Sequence, residues 1–258
     1  MVGTLDITCI PVLQDNYVWV AQCQATGVVA VVDPALSDPV LDMCAQKGVT
    51  LSCVLVTHHH GDHVGGILEL KQRTGCRVIG YGDDAARLPG LDELVADREE
   101  ICVGQARATV MAVPGHTSGH IAFYFADDHA LFCGDTLFLL GCGRMFEGTP
   151  EQFWRSLCTL RALPDVTRVF CAHEYTESNC RFVRSLEPDN VELLVRERTI
   201  LETRAQGLPT VPGSLGEEKR LNPFLRADTA HMAQVLGCQD GTDPVHVFAE
   251  LRQRKDVF

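Results

Sequence analysis

Four short apolar runs along the chain each lead into residues that can bind a metal. Leu51-Ser52-Cys53-Val54-Leu55-Val56 passes directly into Thr57-His58-His59-His60-Gly61-Asp62-His63. Val110-Met111-Ala112-Val113 leads to His116, Ala130-Leu131-Phe132-Cys133 to Asp135, and Arg168-Val169-Phe170-Cys171 to His173. Short runs rich in β-branched and aromatic residues predict buried strands, so the polar residues would stand at the strands' C-terminal ends. In extended backbone, residues two apart share a face. His58 and His60 can then reach one metal while His59 points elsewhere. Gly61 permits a turn, and the stretch from Val64 to Ile67 opens an amphipathic pattern that predicts a helix.

The same alternation places the other elements. Leu5 to Pro11, Tyr17 to Gln22 and Val28 to Val32 predict a meander broken at Gln14-Asp15-Asn16 and Ala25-Thr26-Gly27. Helical patterns over Ile67 to Arg73 and Pro150 to Leu163 precede strands at Cys76 to Gly80 and Thr167 to Ala172. Helices outside separate sheets make an α/β layered sandwich the economical architecture for residues 1–173. From residue 174 to 258 the pattern is helical: Thr176 to Leu186, Val191 to Gln206 with Gly207 as C-cap, a Gly- and Pro-containing loop over Leu208 to Gly216, then Asp228 to Leu236 and Pro244 to Lys255. A small all-α domain is expected there.

Composition narrows the classes of partner. The formal net charge of −12 opposes nucleic acid or an anionic membrane as main partner, since the long-range field repels both. An anionic small molecule would need a local basic cluster. With 46% hydrophobic and 22% charged residues over 258 positions, the chain resembles an ordinary globular protein, and no apolar run approaches the ~20 residues of a membrane span. Twelve cysteines occur without a Cys-x-x-Cys pair and several lie in apolar runs. They read as reduced, buried small hydrophobes. The N-terminus carries no basic-then-apolar signal, so a cytoplasmic location is expected.

Seven side chains suffice for two metal sites. His58, His60 and His116 form one set, Asp62, His63 and His173 a second, and Asp135 is the natural bridge. Two metals about 3.5 to 4 Å apart, each with a position for solvent, suit this count. Nitrogen and oxygen ligands without thiolate fit zinc, iron or manganese. Such metals bring bound water to a pKa of about 7, which points to hydrolysis.

The arrangement resembles the metallo-β-lactamase superfamily, whose αββα sandwich carries a His-x-His-x-Asp-His motif and distant His, Asp and His ligands. Finer marks are similar to the glyoxalase II (hydroxyacylglutathione hydrolase) family: Thr57-His58-His59-His60, His116-Thr117-Ser118-Gly119-His120, Gly134-Asp135-Thr136-Leu137-Phe138, Gly141-Cys142-Gly143-Arg144 and Cys171-Ala172-His173-Glu174-Tyr175-Thr176. Asn222-Pro223-Phe224-Leu225-Arg226, Thr242-Asp243-Pro244-Val245 and Arg252-Gln253-Arg254-Lys255-Asp256 resemble that family's helical glutathione-binding domain.

The resemblance implies hydrolysis of S-(2-hydroxyacyl)glutathione, such as S-D-lactoylglutathione to glutathione and D-lactate, the second step of methylglyoxal detoxification. It implies two divalent metals per chain, zinc first with iron or manganese as alternatives, and a bridging hydroxide as nucleophile, with Asp62 and Asp135 in catalytic roles. Arg144, Phe146, Tyr175, Arg252 and Lys255 would hold the glutathione moiety, and the chain would act as a monomer. Phe146 departs from the family, which often has an aromatic hydroxyl there. The alternatives are a glutathione persulfide dioxygenase with a single iron and a catalytically silent metal-binding module. Outside the ligand set, His59 is expected to pack behind the ligands and His120 to be structural. Asp33 is either an acceptor behind a ligand or a turn residue before Pro34. His129, His231 and His246 read as surface or packing residues.

Overall fold

A computed structural model describes residues 4–239 and 241–258. By compactness the chain divides into two units, the first running through Ala112 and taking in Ser118–Gly134, the second comprising Val113–Thr117 and Asp135–Phe258.

The first unit contains β1 (Leu5–Val12), β2 (Asn16–Cys23), β3 (Val29–Val32), α1 (Asp38–Lys47), β4 (Leu51–Leu55), α2 (Gly61–Val64), α3 (Ile67–Thr74), β5 (Arg77–Tyr81), β6 (Glu93–Val95), β7 (Glu100–Val103), β8 (Ala106–Ala112), β9 (Ile121–Phe125) and β10 (Ala130–Gly134). Strands β1 to β6 form one sheet in sequence order, antiparallel from β1 to β3 and parallel from β3 to β6. Strands β7 to β10 follow one another antiparallel in another sheet. The expected meander and the strand before the histidine cluster are therefore present. Cys53, Val54 and Leu55 on β4 are all buried, as expected of a central parallel strand with both faces covered. Val40 and Cys44 of α1 and Ile67 and Leu70 of α3 join Val31, Val54 and Val78 in one apolar core.

Two local details differ from the sequence expectation. The segment after the histidines folds at once into the single-turn helix α2, and α3 starts separately at Ile67. Gly65 and Gly66 lie between them, and a Cβ at either would overlap backbone of Ala35 to Ser37. Helix α1 was not among the expected elements, although Pro39 in its first turn and Gly48 in the left-handed conformation at its end are ordinary start and stop signals.

The second unit contains β11 (Leu137–Phe138), β12 (Gly141–Cys142), α4 (Pro150–Arg161), β13 (Arg168–Cys171), α5 (Thr176–Leu186), α6 (Val191–Ala205), β14 (Gly213–Ser214), α7 (Leu215–Leu221), α8 (Ala230–Leu236) and α9 (Pro244–Val257). Thr149 and Gln152 form a reciprocal capping box at the start of α4, and Asn190, Thr229 and Asp243 cap α6, α8 and α9. Phe153 on α4 packs on Phe248 of α9, with ring centroids 5.5 Å apart. Val183 of α5, Leu193 and Ile200 of α6, Leu221 and Leu140 share a small core. The segment Leu208 to Gly216, expected as a loop, holds the two-residue strand β14 and the first turn of α7. The C-terminal region is therefore helical except for β14, which pairs with β13.

Candidate metal centre

The first unit supplies four of the expected ligands on the turn between β4 and α2. His58 Nε2 and His60 Nδ1 lie 3.1 Å apart, while His59 turns away, as the alternation predicted. Asp62 Oδ2 lies 3.6 Å from His63 Nε2. Behind them stands Asp33, held at a φ of 51° at the end of β3 and buried. Its Oδ1 accepts from Thr57 N at 2.8 Å, and its Oδ2 accepts from Thr57 Oγ1 at 2.6 Å and faces His63 Nδ1 at 3.1 Å. Thr57 Oγ1 in turn lies 3.0 Å from His58 Nδ1.

This pattern assigns protons. Because the Thr57 hydroxyl donates to Asp33, it accepts from His58 Nδ1–H, and the carboxylate accepts from His63 Nδ1–H. Both rings then present an unprotonated Nε2. One buried carboxylate thus orients two histidines, directly at His63 and through Thr57 at His58, as an acceptor behind the expected ligands would. Asp33, His58 and His63 are close enough to bind a cation together. However, both Asp33 oxygens are already engaged in hydrogen bonds, so orientation is its assignment. Asn16 Nδ2 donates to Asp62 Oδ2 at 3.0 Å and to the Asp62 carbonyl at 3.3 Å, fixing that carboxylate. Asn16 did not stand out in the sequence, and Thr57 did so only as the first residue of the motif, with no bonding role assigned. The 46 positions between Asn16 and Asp62 carry no recognisable spacing.

The second unit supplies the remaining three of the expected ligands. His116 Nδ1 donates to the Arg144 carbonyl at 2.8 Å, which leaves Nε2 unprotonated, 3.5 Å from Asp135 Oδ2. His173 Nε2 is 3.4 Å from Asp135 Oδ1. Each oxygen of one buried carboxylate therefore faces a different histidine. Gly143 makes this approach possible, because a Cβ there would overlap the Asp135 carbonyl oxygen.

Donor chemistry and spacing both fit a metal. Ligand atoms bound at about 2.0 to 2.1 Å in a tetrahedron lie about 3.3 Å apart. The four separations above, 3.1, 3.6, 3.5 and 3.4 Å, bracket that edge.

The expected substrate residues also lie in the second unit. Tyr175 stacks on His173, with centroids 4.8 Å apart and planes within 6°. Phe146 is 62% exposed and presents its ring to His116 at 5.2 Å and 69°. Arg252 is buried: Nη1 donates to the Cys142 carbonyl at 3.0 Å and, at 3.4 Å, to that of Gly143, while Nε and Nη2 donate to Asp256 Oδ1 at 3.1 and 2.9 Å. Arg144 Nε stands 3.9 Å from the same Asp256 oxygen. Lys255 Nζ lies 5.4 Å from the ring centres of both Phe182 and Phe258. Burial, reinforced by Arg252, Arg181 and Arg144, pulls its ammonium down to about 8. Cations crowded this way favour an anionic guest.

Comparison with known proteins identifies the family. The family model described as the metallo-beta-lactamase superfamily matches residues 10–173, and that described as the hydroxyacylglutathione hydrolase C-terminus matches residues 174–258. The chain is 54% identical over 254 residues to a hydroxyacylglutathione hydrolase of Methylococcus capsulatus, covering 98% of this chain and 99% of the relative. It is 52% identical over 256 residues to one of Rhodospirillum rubrum, covering 99% and 100%. Among solved structures, ETHE1 from Myxococcus xanthus matches with a TM-score of 0.66 at 25% identity, covering 95% of this chain and 99% of that one. The BLEG-1 B3 metallo-beta-lactamase matches with a TM-score of 0.64 at 20% identity, covering 85% and 99%, which supports the fold alone. The fold is accordingly the α/β metallo-β-lactamase fold followed by a helical C-terminal region, and the chain belongs to the hydroxyacylglutathione hydrolase, or glyoxalase II, family of that superfamily.

Proposed function

We propose that this chain hydrolyses S-(2-hydroxyacyl)glutathione thioesters, with S-D-lactoylglutathione as the representative substrate, at a centre of two divalent metal ions bridged by Asp135. The names of relatives similar over the whole chain support the substrate class. The carrying observation for the metals is that the two oxygens of Asp135 face His116 Nε2 and His173 Nε2 at near-equal distances. This arrangement lets each oxygen of Asp135 serve a different ion.

In this reading His58, His60 and His116 hold one metal, Asp62, His63 and His173 the other, and zinc is the first choice for both. Such ions, when bound, supply a water acidified to a pKa of about 7 and Lewis-acid polarisation of the thioester carbonyl. The chain's own residues do the rest. Asp33 and Thr57 keep the protons of His58 and His63 on Nδ1, and the Arg144 carbonyl does the same for His116. Asn16 holds Asp62 in one rotamer, so that carboxylate can orient a nucleophile. The departing thiolate needs little protonation, since a free thiol has a pKa of about 8.5.

Residues 174–258, together with Arg144 and Phe146, would bind the glutathione handle, whose two carboxylates suit Lys255, Arg144 and Arg252. Arg252 would act with its guanidinium already fixed by Asp256 and two carbonyls. Tyr175 would border both the handle and His173. A cytoplasmic monomer completes the reading, and no helix among the described residues is long and apolar enough to cross a membrane. The test is turnover of S-D-lactoylglutathione by the purified, metal-loaded chain, followed by release of free thiol. A metal-loaded chain that leaves this thioester intact would refute the proposal.

A further inference from the structure

His59, the one motif histidine outside the proposed ligand sets, has bonding partners of its own in the first unit. His59 Nδ1 lies 3.1 Å from Oδ2 of Asp84, which is buried in the short 3-10 turn Gly82–Arg87 after β5. The other oxygen of Asp84 accepts from Arg87 Nε at 2.5 Å. Arg87 then reaches onward, with Nη2 donating to Ser118 Oγ at 2.9 Å and Nη1 lying 3.4 Å from His59 Nε2. Arginine can only donate, so His59 Nε2 is the acceptor there and its proton sits on Nδ1, directed at Asp84. The adjoining loop is equally tied: a Cβ at Gly119 would overlap the Asp84 carboxylate, and His120 stacks on His58 with centroids 4.5 Å apart and planes at 20°.

We propose that Asp84, acting through His59 and Arg87, is a positioning residue that clamps the His58–His60 segment against the Ser118–His120 loop and so presets the spacing of His58 Nε2 and His60 Nδ1. His59 lies between two ligands on the opposite face of the same extended segment. Holding its ring fixes the backbone from which both neighbours project. The ligands are thus gripped from two directions, by Asp33 and Thr57 at His58 Nδ1 and by Asp84 behind His59. Neither Asp84 nor Arg87 needs to touch metal or substrate.

The clamp rests on the proposed metal role of His58 and His60, and its test is read on metal binding first, independently of the substrate. Asp84→Asn keeps the shape but leaves one good acceptor where two charged contacts existed. In the full-length protein it should lower zinc affinity, measured against a competing chelator, by about 10- to 100-fold, the usual effect of removing a group that orients ligands. It should also shift the visible absorption bands of the cobalt-loaded protein and lower kcat, with KM for S-D-lactoylglutathione changed by less than about twofold. His59→Ala preserves the Asp84–Arg87 pair and provides the reading if Asp84→Asn does not fold. The double variant should lose no more than about the larger single loss, because both changes break one linkage. Wild-type zinc affinity and an unchanged cobalt spectrum in either single variant, or fully additive losses in the double variant, would overturn the proposal. If no variant and no wild-type protein turned over the thioester, the substrate reading would fail while the metal readouts still decided the clamp.

Discussion

Glu218 makes the most quantitative claim. Its side chain is wholly buried, with Oε2 accepting from Leu140 N at 2.7 Å and from Asn222 Nδ2 at 2.9 Å, and with no hydrogen-bond partner at Oε1 among the described residues. Asn222 Nδ2 also donates to the carbonyls of Phe138 and Gly141, and Asn179 to that of Leu139. The turn between β11 and β12, which lies between Asp135 and Arg144, is therefore held by side chains of the helical region. Burial lifts the Glu218 carboxyl from 4.5 to about 7, against the opposing pull of Leu140 N–H, Asn222 and Arg196. Between those two values the folded chain binds more proton than the unfolded chain, so stability falls as pH rises from about 4.5 to about 7 and is level above. At 1.36 kcal/mol per pKa unit, the full loss is about 3 kcal/mol. Glu218→Gln cannot ionise. Its amide nitrogen would take the unpartnered position, costing about 1 to 3 kcal/mol at every pH. That cost cancels when the variant is compared with wild type at two pH values. Urea unfolding at pH 5 and pH 8, with matched metal loading, should show the variant gaining about 2.5 kcal/mol on wild type between the two, since part of the loss already lies below pH 5. A difference independent of pH, or of opposite sign, would show that Glu218 is not a strained neutral-to-charged group and that this reasoning is wrong.

Three further outcomes follow from the site. Asp33→Asn keeps one acceptor for Thr57 N but loses the charge shared by Thr57 and His63; zinc affinity should fall by about 10- to 100-fold, measured by chelator competition. Lys255 must be protonated to hold a carboxylate, so KM for S-D-lactoylglutathione should rise as pH passes about 8 while kcat does not follow the same titration. Lys255→Ala should remove that pH dependence, raise KM and leave bound metal unchanged, as metal analysis would verify. Phe146→Tyr should alter affinity for a non-hydrolysable glutathione conjugate by at most about 0.5 to 1.5 kcal/mol, the worth of one hydrogen bond. Because the Phe146 ring is exposed beside His116, isothermal titration that finds no change would place it outside the recognition surface.

Much of the candidate site was legible because its proposed ligands follow strands, and strands announce themselves through short apolar runs. The runs before His58 and Asp135 became β4 and β10 with little shift of boundary. The opposite facing of His59 followed from the period of extended backbone alone. What the sequence concealed depends on pairs distant along the chain. Asp33 reaches Thr57 across 24 positions, Asn16 reaches Asp62 across 46, and Asp84 reaches His59 across 25, none with a local spacing to mark it. Arg252 could be marked as a cation by its sequence, but its burial and its capture by Asp256 and the Cys142 carbonyl could not. Helix α7 was hidden for another reason. Gly213 and Gly216 flank its start and suggest a loop, while the elements that stabilise it, β13 partnering β14 and Lys219 bonding to the Leu163 carbonyl, are long-range.

A two-metal thioesterase makes a stoichiometric demand that a zinc titration reads. Metal-free protein is supplied with increasing zinc while bound metal and S-D-lactoylglutathione turnover are measured on the same samples. The account predicts that turnover reaches its plateau only as the second metal ion per chain binds, and that Asp135→Ala neither retains both ions nor reaches that plateau. Full turnover with a single bound ion, or a normal plateau in Asp135→Ala, would contradict it.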